Sequence, residues 1–191
     1  MDTRDLHRQA TDDLNALVDA ASEGDLTRPT PCEGWTLADL LAHEIGQRLG
    51  FAAAIANGDA ALSAYEPVPF TPQTWIDSSA TLLDAFAGAD PGARAVLRLF
   101  AQRPLPVSVL VGAQLLDAAV HAWDVAKALG RDYAPNPDVV AAVGEVALSI
   151  ADDAARNEAG FFTSAVRSDG SEWERILAHL GRDPHWVPPG G

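Results

Sequence analysis

Asp117 and His121 lie four residues apart in a segment that is otherwise strongly apolar. If that segment is a helix, the two side chains leave one face a turn apart. Leu110, Gln114, Asp117 and His121 then form a single line. The chain has five histidines, His7, His43, His121, His179 and His185. His43 also falls within a strong helical pattern, on the line Leu40, His43, Gln47 at the margin of a leucine stripe. A carboxylate and an imidazole from one helix, joined by an imidazole from a facing helix, would make a three-donor set for a divalent ion such as Zn²⁺, Ni²⁺ or Fe²⁺. Three protein donors leave a position open for water or substrate, as catalytic centres do and closed structural sites do not. Spacing does not by itself bring the two helices together. An Asp/His pair at this spacing is more often a surface hydrogen bond than a ligand pair, and a single histidine such as His43 is more often a partly buried, hydrogen-bonded residue.

The elements that must position these residues are helices. Clusters of proline, glycine and asparagine at 27–35, 65–73, 88–94, 103–106, 130–137 and 185–191 separate alanine- and leucine-rich stretches with no period-two run, so strands are not expected. With 36 alanines, the chain is rich in the best helix former. A first helix over about 3–23 carries Leu6, Ala10, Leu14, Leu17 and Ala21 at steps of three and four, with Gly24 as its C-cap. A second starts at Thr36, with Asp39 three residues on as in a capping box, and ends at Asn57-Gly58. A third covers 73–87, and a fourth runs from Pro106, a first-turn proline, to Leu129. A fifth begins at Asn136-Pro137 and continues to about 156, and a short sixth spans 171–180. The fold is read as all-α, and connections of about 10–18 residues require at least one crossover.

The chain has 191 residues and a net charge of -14. Its field repels phosphate backbones and anionic lipid, so neither nucleic acid nor membrane is an expected partner. Its one cysteine, Cys32, allows no internal disulfide. The N-terminus has no signal-peptide run. The most apolar region, Leu105 to Val120, is interrupted by Pro106, Ser108, Gln114 and Asp117, so no membrane helix is expected. A cytoplasmic protein is the resulting expectation. The apolar face of the fifth helix (Val139, Val140, Val143, Val146, Ile150) is read as core, and the chain as monomer or homodimer.

Two longer motifs add to this reading. Thr30-Pro31-Cys32-Glu33-Gly34-Trp35-Thr36-Leu37-Ala38-Asp39-Leu40-Leu41-Ala42-His43 resembles a signature of the DinB/YfiT-like metal-binding superfamily, in its actinobacterial branch with the mycothiol-dependent maleylpyruvate isomerase. Asp117-Ala118-Ala119-Val120-His121-Ala122-Trp123-Asp124, continuing to Gly130, resembles a second signature of that family, and the ending Leu180-Gly181-Arg182-Asp183-Pro184-His185-Trp186 is similar to the close of some of its members. The resemblance implies a DinB-like four-helix bundle with a long crossover and a C-terminal helical extension. It implies one domain over 1–191, with a core bundle at about 3–130 and C-terminal helices and tail at about 136–191. It places the metal ligands at His43, Asp117 and His121, with Zn²⁺ the first expectation and Ni²⁺ or Fe²⁺ as alternatives. The isomerase has Glu where this chain has Asp117, one methylene shorter.

In the family the metal activates a thiol or a substrate carbonyl, which implies a metal-dependent thiol S-transferase or related thiol-handling enzyme. Its partners would be a small electrophile and a low-molecular-weight thiol, with mycothiol as the co-substrate. A metal- or ligand-binding module without turnover and a thiol-independent metal enzyme are the other readings. The isomerase activity itself is disfavoured, because no matched substrate motif is found and the C-terminal region is too short for that enzyme's second domain. Asp124 is read either as an acceptor that orients His43 or His121 or as a cap on the interhelical contact. Trp35 is read as a hydrophobic anchor, Cys32 as a buried small residue and Trp123 as packing against the bundle. Glu44 is expected to pair with an arginine, and Lys127 to be exposed near a helix C-terminus. Arg48, Arg94, Arg98 and Arg103 are expected in surface salt bridges, and His179 and His185 at the surface.

Overall fold

The computed structural model describes residues 1–90, 92–99, 103–153 and 162–188. Helix α1 (Thr3–Asp19) buries Leu6, Ala10, Leu14 and Val18 at steps of four. It ends earlier than its apolar pattern suggests, because Ala20 closes it and Gly24 lies instead in a 3₁₀ turn over Glu23–Thr27. Helix α2 (Leu37–Asn57) starts at the expected capping box: the Thr36 hydroxyl accepts from the Asp39 amide, and Asp39 Oδ2 accepts from the Thr36 amide at 2.9 Å. It ends at left-handed Gly58. Helices α3 (Pro72–Gly88) and α4 (Val107–Ala128) follow. Helix α1 lies along α4 and α2 lies along α3, while α2 also touches α4 and α1 touches α3. These four form an all-α bundle, and the α2–α3 connection is the crossover: it runs back along α2, with the Val68 amide on the Ala42 carbonyl and Glu66 and Tyr65 against Gly46 and Gly50, so that α2 and α3 run parallel.

The α3–α4 connection contains an antiparallel pair, β1 (Arg94–Val96) with β2 (Pro104–Pro106), in the register Ala95 opposite Leu105. The absence of strands expected from sequence is corrected here. Three-residue strands, one holding two prolines, carry no readable alternation. Pro106 is the N-cap residue of α4 rather than a first-turn proline.

Helix α5 (Pro137–Leu148), capped by the Asn136 side chain, stops well short of 156, because Ser149 closes it. The end of the expected span, 154–156, lies outside the described residues. Helix α6 (Glu172–His179) has its own capping box between Ser171 and Glu174. Val139, Val143, Ile176 and Leu177 share one apolar cluster with Leu14, Leu40 and Leu115. A second cluster gathers Phe51, Tyr65, Leu82, Phe86, Ala95, Leu97 and Leu110 at the end of the bundle that carries β1 and β2. Helix α4 is long and apolar enough to cross a membrane by composition, but 83% of that stretch is buried inside the protein, so it is the central core helix. Buried polar residues, among them Glu44, Arg48, Gln114, His121 and Asp124, interrupt its surroundings and those of α2.

Candidate metal centre

The packing of α2 on α4 brings the sequence-nominated residues together. Donor atoms of His43, Glu44, Asp117 and His121 all lie within 4.8 Å of one another. The His43 and His121 rings stand edge to face with centroids 5.6 Å apart. His121 Nε2 is 3.5 Å from Asp117 Oδ1 and 3.8 Å from Glu44 Oε1. The other Asp117 oxygen accepts from Gln114 Nε2 at 3.3 Å, which leaves Oδ1 facing the cluster.

Asp124 resolves in favour of His121. Its Oδ2 is 2.9 Å from His121 Nδ1, so the imidazole is held from behind with Nε2 turned to the cluster. A histidine that gives one ring N–H to a carboxylate and offers its other nitrogen is the arrangement of a metal ligand with an outer partner. The same Asp124 oxygen accepts from Arg182 Nη2 at 3.1 Å and from the Cys32 thiol at 3.4 Å. Burial alone would raise the Asp124 pKa, but Arg182 and His121 hold it down to about 2.

The remaining charges follow from burial and from one another. Burial lowers His43 to about 4 against the pull of Asp117, so the ring is neutral and able to donate a lone pair at neutral pH. Burial would lower His121 too, but its bonds to Asp124 and Cys32 and the charges of Asp117 and Glu44 raise it well above the usual value. Burial, then the charge of Asp117, raises Glu44 against the opposing pull of His121 and Arg48. Raised proton affinity at both an acid and an imidazole marks a cluster that favours bound positive charge. A divalent cation fits that demand, and two imidazoles with carboxylate oxygen are suitable donors for Zn²⁺, Fe²⁺ or Ni²⁺.

The cluster forms the polar end of a cavity of about 1100 Å³. Its walls come from the 31–35 loop, α2, the α3–α4 connection, α4, the end of α5 and the 162–164 and 181–182 segments, and they are mainly apolar: Phe51, Leu97, Leu105, Val109, Val146 and Phe162. The loop folds over the site because the Trp35 amide donates to the Cys32 carbonyl at 3.0 Å and the Thr30 amide donates to the Trp35 carbonyl at 3.1 Å. Gly34 takes the left-handed φ of 78° that this turn needs.

Several side chains differ from their sequence reading. Trp35 is 36% exposed and lies tilted against His43 with ring centroids 4.9 Å apart, so it is a cavity wall rather than a hydrophobic anchor before the helix. Cys32 is half-buried and lines the cavity. Arg48 is not at the surface: it is 2% exposed, 3.5 Å from Glu44 and stacked 3.9 Å over Trp75. Glu44 thus has its expected arginine but also faces the cluster, which the sequence reading missed. Arg98 pairs with Asp59 in the open, as expected. Exposed Arg94 bonds the Pro104 carbonyl, and Arg103 is exposed. Trp123 is buried in the bundle, and half-buried Lys127 sits over it in the last turn of α4. His185 is exposed, while half-buried His179 bonds the Ile150 carbonyl. Val139, Val140 and Val143 are core, whereas Val146 and Ile150 line the cavity.

Arg182 is the cavity residue that sequence reasoning did not nominate. It reaches Asp124 because Gly181, at φ 82°, reverses the chain after α6. The only signal for it was the closing Leu180-Gly181-Arg182-Asp183-Pro184 motif.

Comparison with known proteins agrees with this fold. Residues 7–126 match the family model described as the mycothiol maleylpyruvate isomerase N-terminal domain. An uncharacterised protein of Mycobacterium tuberculosis, found in strains H37Rv and CDC 1551, is 27% identical over 145 residues, 73% of this chain and 74% of its own length. The crystal structure of the mycothiol-dependent maleylpyruvate isomerase superposes with a TM-score of 0.63 at 16% identity, over 94% of this chain and 88% of that one. The two share a fold.

Proposed function

Because this chain belongs to the mycothiol maleylpyruvate isomerase N-terminal domain family, we propose that it is a metal-dependent, thiol-handling enzyme. On this reading His43, Asp117 and His121 hold a divalent ion, and the enzyme transfers a low-molecular-weight thiol, mycothiol first, to a small electrophile. The observation that carries the reading is His121, clamped by Asp124 on one nitrogen and offering the other to Asp117 at the end of a large cavity.

A divalent ion at this position would lower the proton affinity of a thiol entering its open site. The chain's own part is positioning. Asp124 fixes the His121 tautomer, Arg182 keeps Asp124 ionised, and Gln114 occupies the outer oxygen of Asp117. In the transfer, the sulfur bonds to the electrophilic carbon, a leaving group departs with its bonding pair, and the thiol proton passes to solvent. The apolar walls exclude competing water from the electrophile.

The walls also bear on the substrate. A dicarboxylate needs cationic clamps, for which arginine is the fitting residue. Of the described residues, Arg182 is the arginine lining the cavity, and it is engaged by Asp124. An electrophile with an apolar body suits this cavity better than maleylpyruvate does.

The test is conjugation of mycothiol to a haloarene by protein loaded with Ni²⁺, with metal-stripped protein and His121→Ala as controls. Product is expected with the loaded protein and with neither control. No rate above the uncatalysed reaction, despite bound metal, would leave a binding module. Consumption of the electrophile at the same rate without thiol would leave a thiol-independent enzyme.

A further inference from the structure

We propose that Glu44 is a fourth protein ligand of the divalent ion, so that the donor set of this chain is two imidazoles and two carboxylates. The inference rests on the metal reading above and deepens it.

Glu44 is 1% exposed, and its Oε1 is buried without a hydrogen-bond partner. A carboxylate oxygen left bare in the interior is costly unless something positive meets it. Its other oxygen lies 3.5 Å from Arg48 Nη2, an ion pair without a hydrogen bond. The bare oxygen points at the cluster: it is 3.8 Å from His121 Nε2, the same nitrogen that Asp117 faces at 3.5 Å. His43, Asp117 and His121 line the cavity and Glu44 does not, so Glu44 closes the site from the core side. A cation placed among the four donors satisfies the orphan oxygen and leaves the cavity side free.

This donor set bears on which ion is held. Four protein ligands complete a tetrahedral Zn²⁺ and leave no room for substrate. An ion that takes six ligands keeps two positions open toward the cavity, and a second carboxylate suits a harder ion. The site therefore fits Fe²⁺, Mn²⁺ or Ni²⁺ in six-fold coordination better than Zn²⁺ in a closed tetrahedron.

The test uses Co²⁺ as a spectroscopic probe on the full chain, with Glu44→Gln, Arg48→Met and the double variant. The double variant removes both buried charges, so it avoids stranding Arg48 without its partner. Circular dichroism checks that each variant is folded. The wild type and Arg48→Met are expected to bind one Co²⁺ per chain with the weak visible bands of a six-coordinate ion. Both variants lacking Glu44 are expected to lose more than about 100-fold in Co²⁺ affinity, beyond the range for a residue that merely orients a ligand. Their visible spectrum is expected to change. A folded double variant with wild-type affinity and spectrum overturns the proposal and leaves the three-ligand centre standing. A loss within about 10–100-fold with an unchanged spectrum also overturns it, making Glu44 a positioning residue. A wild-type protein that takes up no Co²⁺ overturns this proposal and the metal reading together.

Discussion

Replacing Asp124 with Asn separates what its charge does for the fold from what it does for the metal. Asp124 is fully buried, and one of its oxygens, Oδ2, receives the bonds from His121, Arg182 and Cys32. Oδ1 has no partner. An asparagine can keep its carbonyl at the Oδ2 position and its amide where Oδ1 now sits, so the geometry survives and the charge is lost. Two effects should follow. Arg182, 11% exposed along its side chain, loses its anion at 3.1 Å. Breaking a buried ion pair costs about 3–5 kcal/mol, and the slight exposure of Arg182 favours the lower end. The His121 imidazole also loses the carboxylate that makes it a better donor, which should weaken metal affinity by about 10–100-fold. The assays are denaturant midpoints on metal-free protein and competition with a chromophoric chelator. The double variant Asp124→Asn with Arg182→Met distinguishes the two effects. It should regain most of the stability, because no stranded charge remains. It should not regain the affinity, because His121 still faces a neutral amide. Wild-type metal affinity in folded Asp124→Asn would refute the claim that Asp124 works through His121.

Further predictions follow from other parts of the molecule. His7 is 1% exposed against Phe86, and burial followed by the charge of Arg48 lowers it to about 4 from the ordinary 6.5. The unfolded chain binds that proton near 6.5 and the folded chain does not. The contribution of His7 is therefore present above pH 6.5 and is lost progressively as pH falls toward 4, reaching about 3 kcal/mol. Urea midpoints of the wild type and His7→Gln should diverge over that window, and parallel pH profiles would count against the reading. On α2, a methyl group added at Gly46 would overlap the Glu66 carbonyl, and one at Gly50 would overlap the Tyr65 ring. Both alanine variants should lose about 1–3 kcal/mol by overpacking. Gly46→Ala should be the worse, since backbone yields less than a side chain; the same urea midpoints rank them. Trp35 lies against the His43 ring in the cavity wall, so metal titrated into the stripped protein should change tryptophan fluorescence, and Trp35→Phe should abolish most of that signal.

Sequence periodicity reads the face of a helix well and its boundary poorly, and the site lies on a boundary. Asp117 and His121 were legible because four residues is a helical constant, and neither the packing nor the loops can alter it. His43 needed the resemblance, since its margin position could equally have faced solvent. Glu44 was hidden by the same geometry: adjacent residues on a helix point about 100° apart, so a His-Glu pair does not read as two donors to one point. Both reach the cluster because α2 packs on α4 there, with Glu44 buried beside Arg48 and His43 open to the cavity. Arg182 was hidden for another reason. It meets Asp124 across 58 residues, through a left-handed turn at Gly181 whose effect depends on where α6 has docked. The sequence thus disclosed the residues that a single helix aligns. Those that packing turns inward, Glu44 from the core and Arg182 from the C-terminal segment, set the charge of the site and, on the proposed reading, the choice of ion and substrate. Relatives that share the two motifs but differ at these two positions should therefore share the fold and hold different metals.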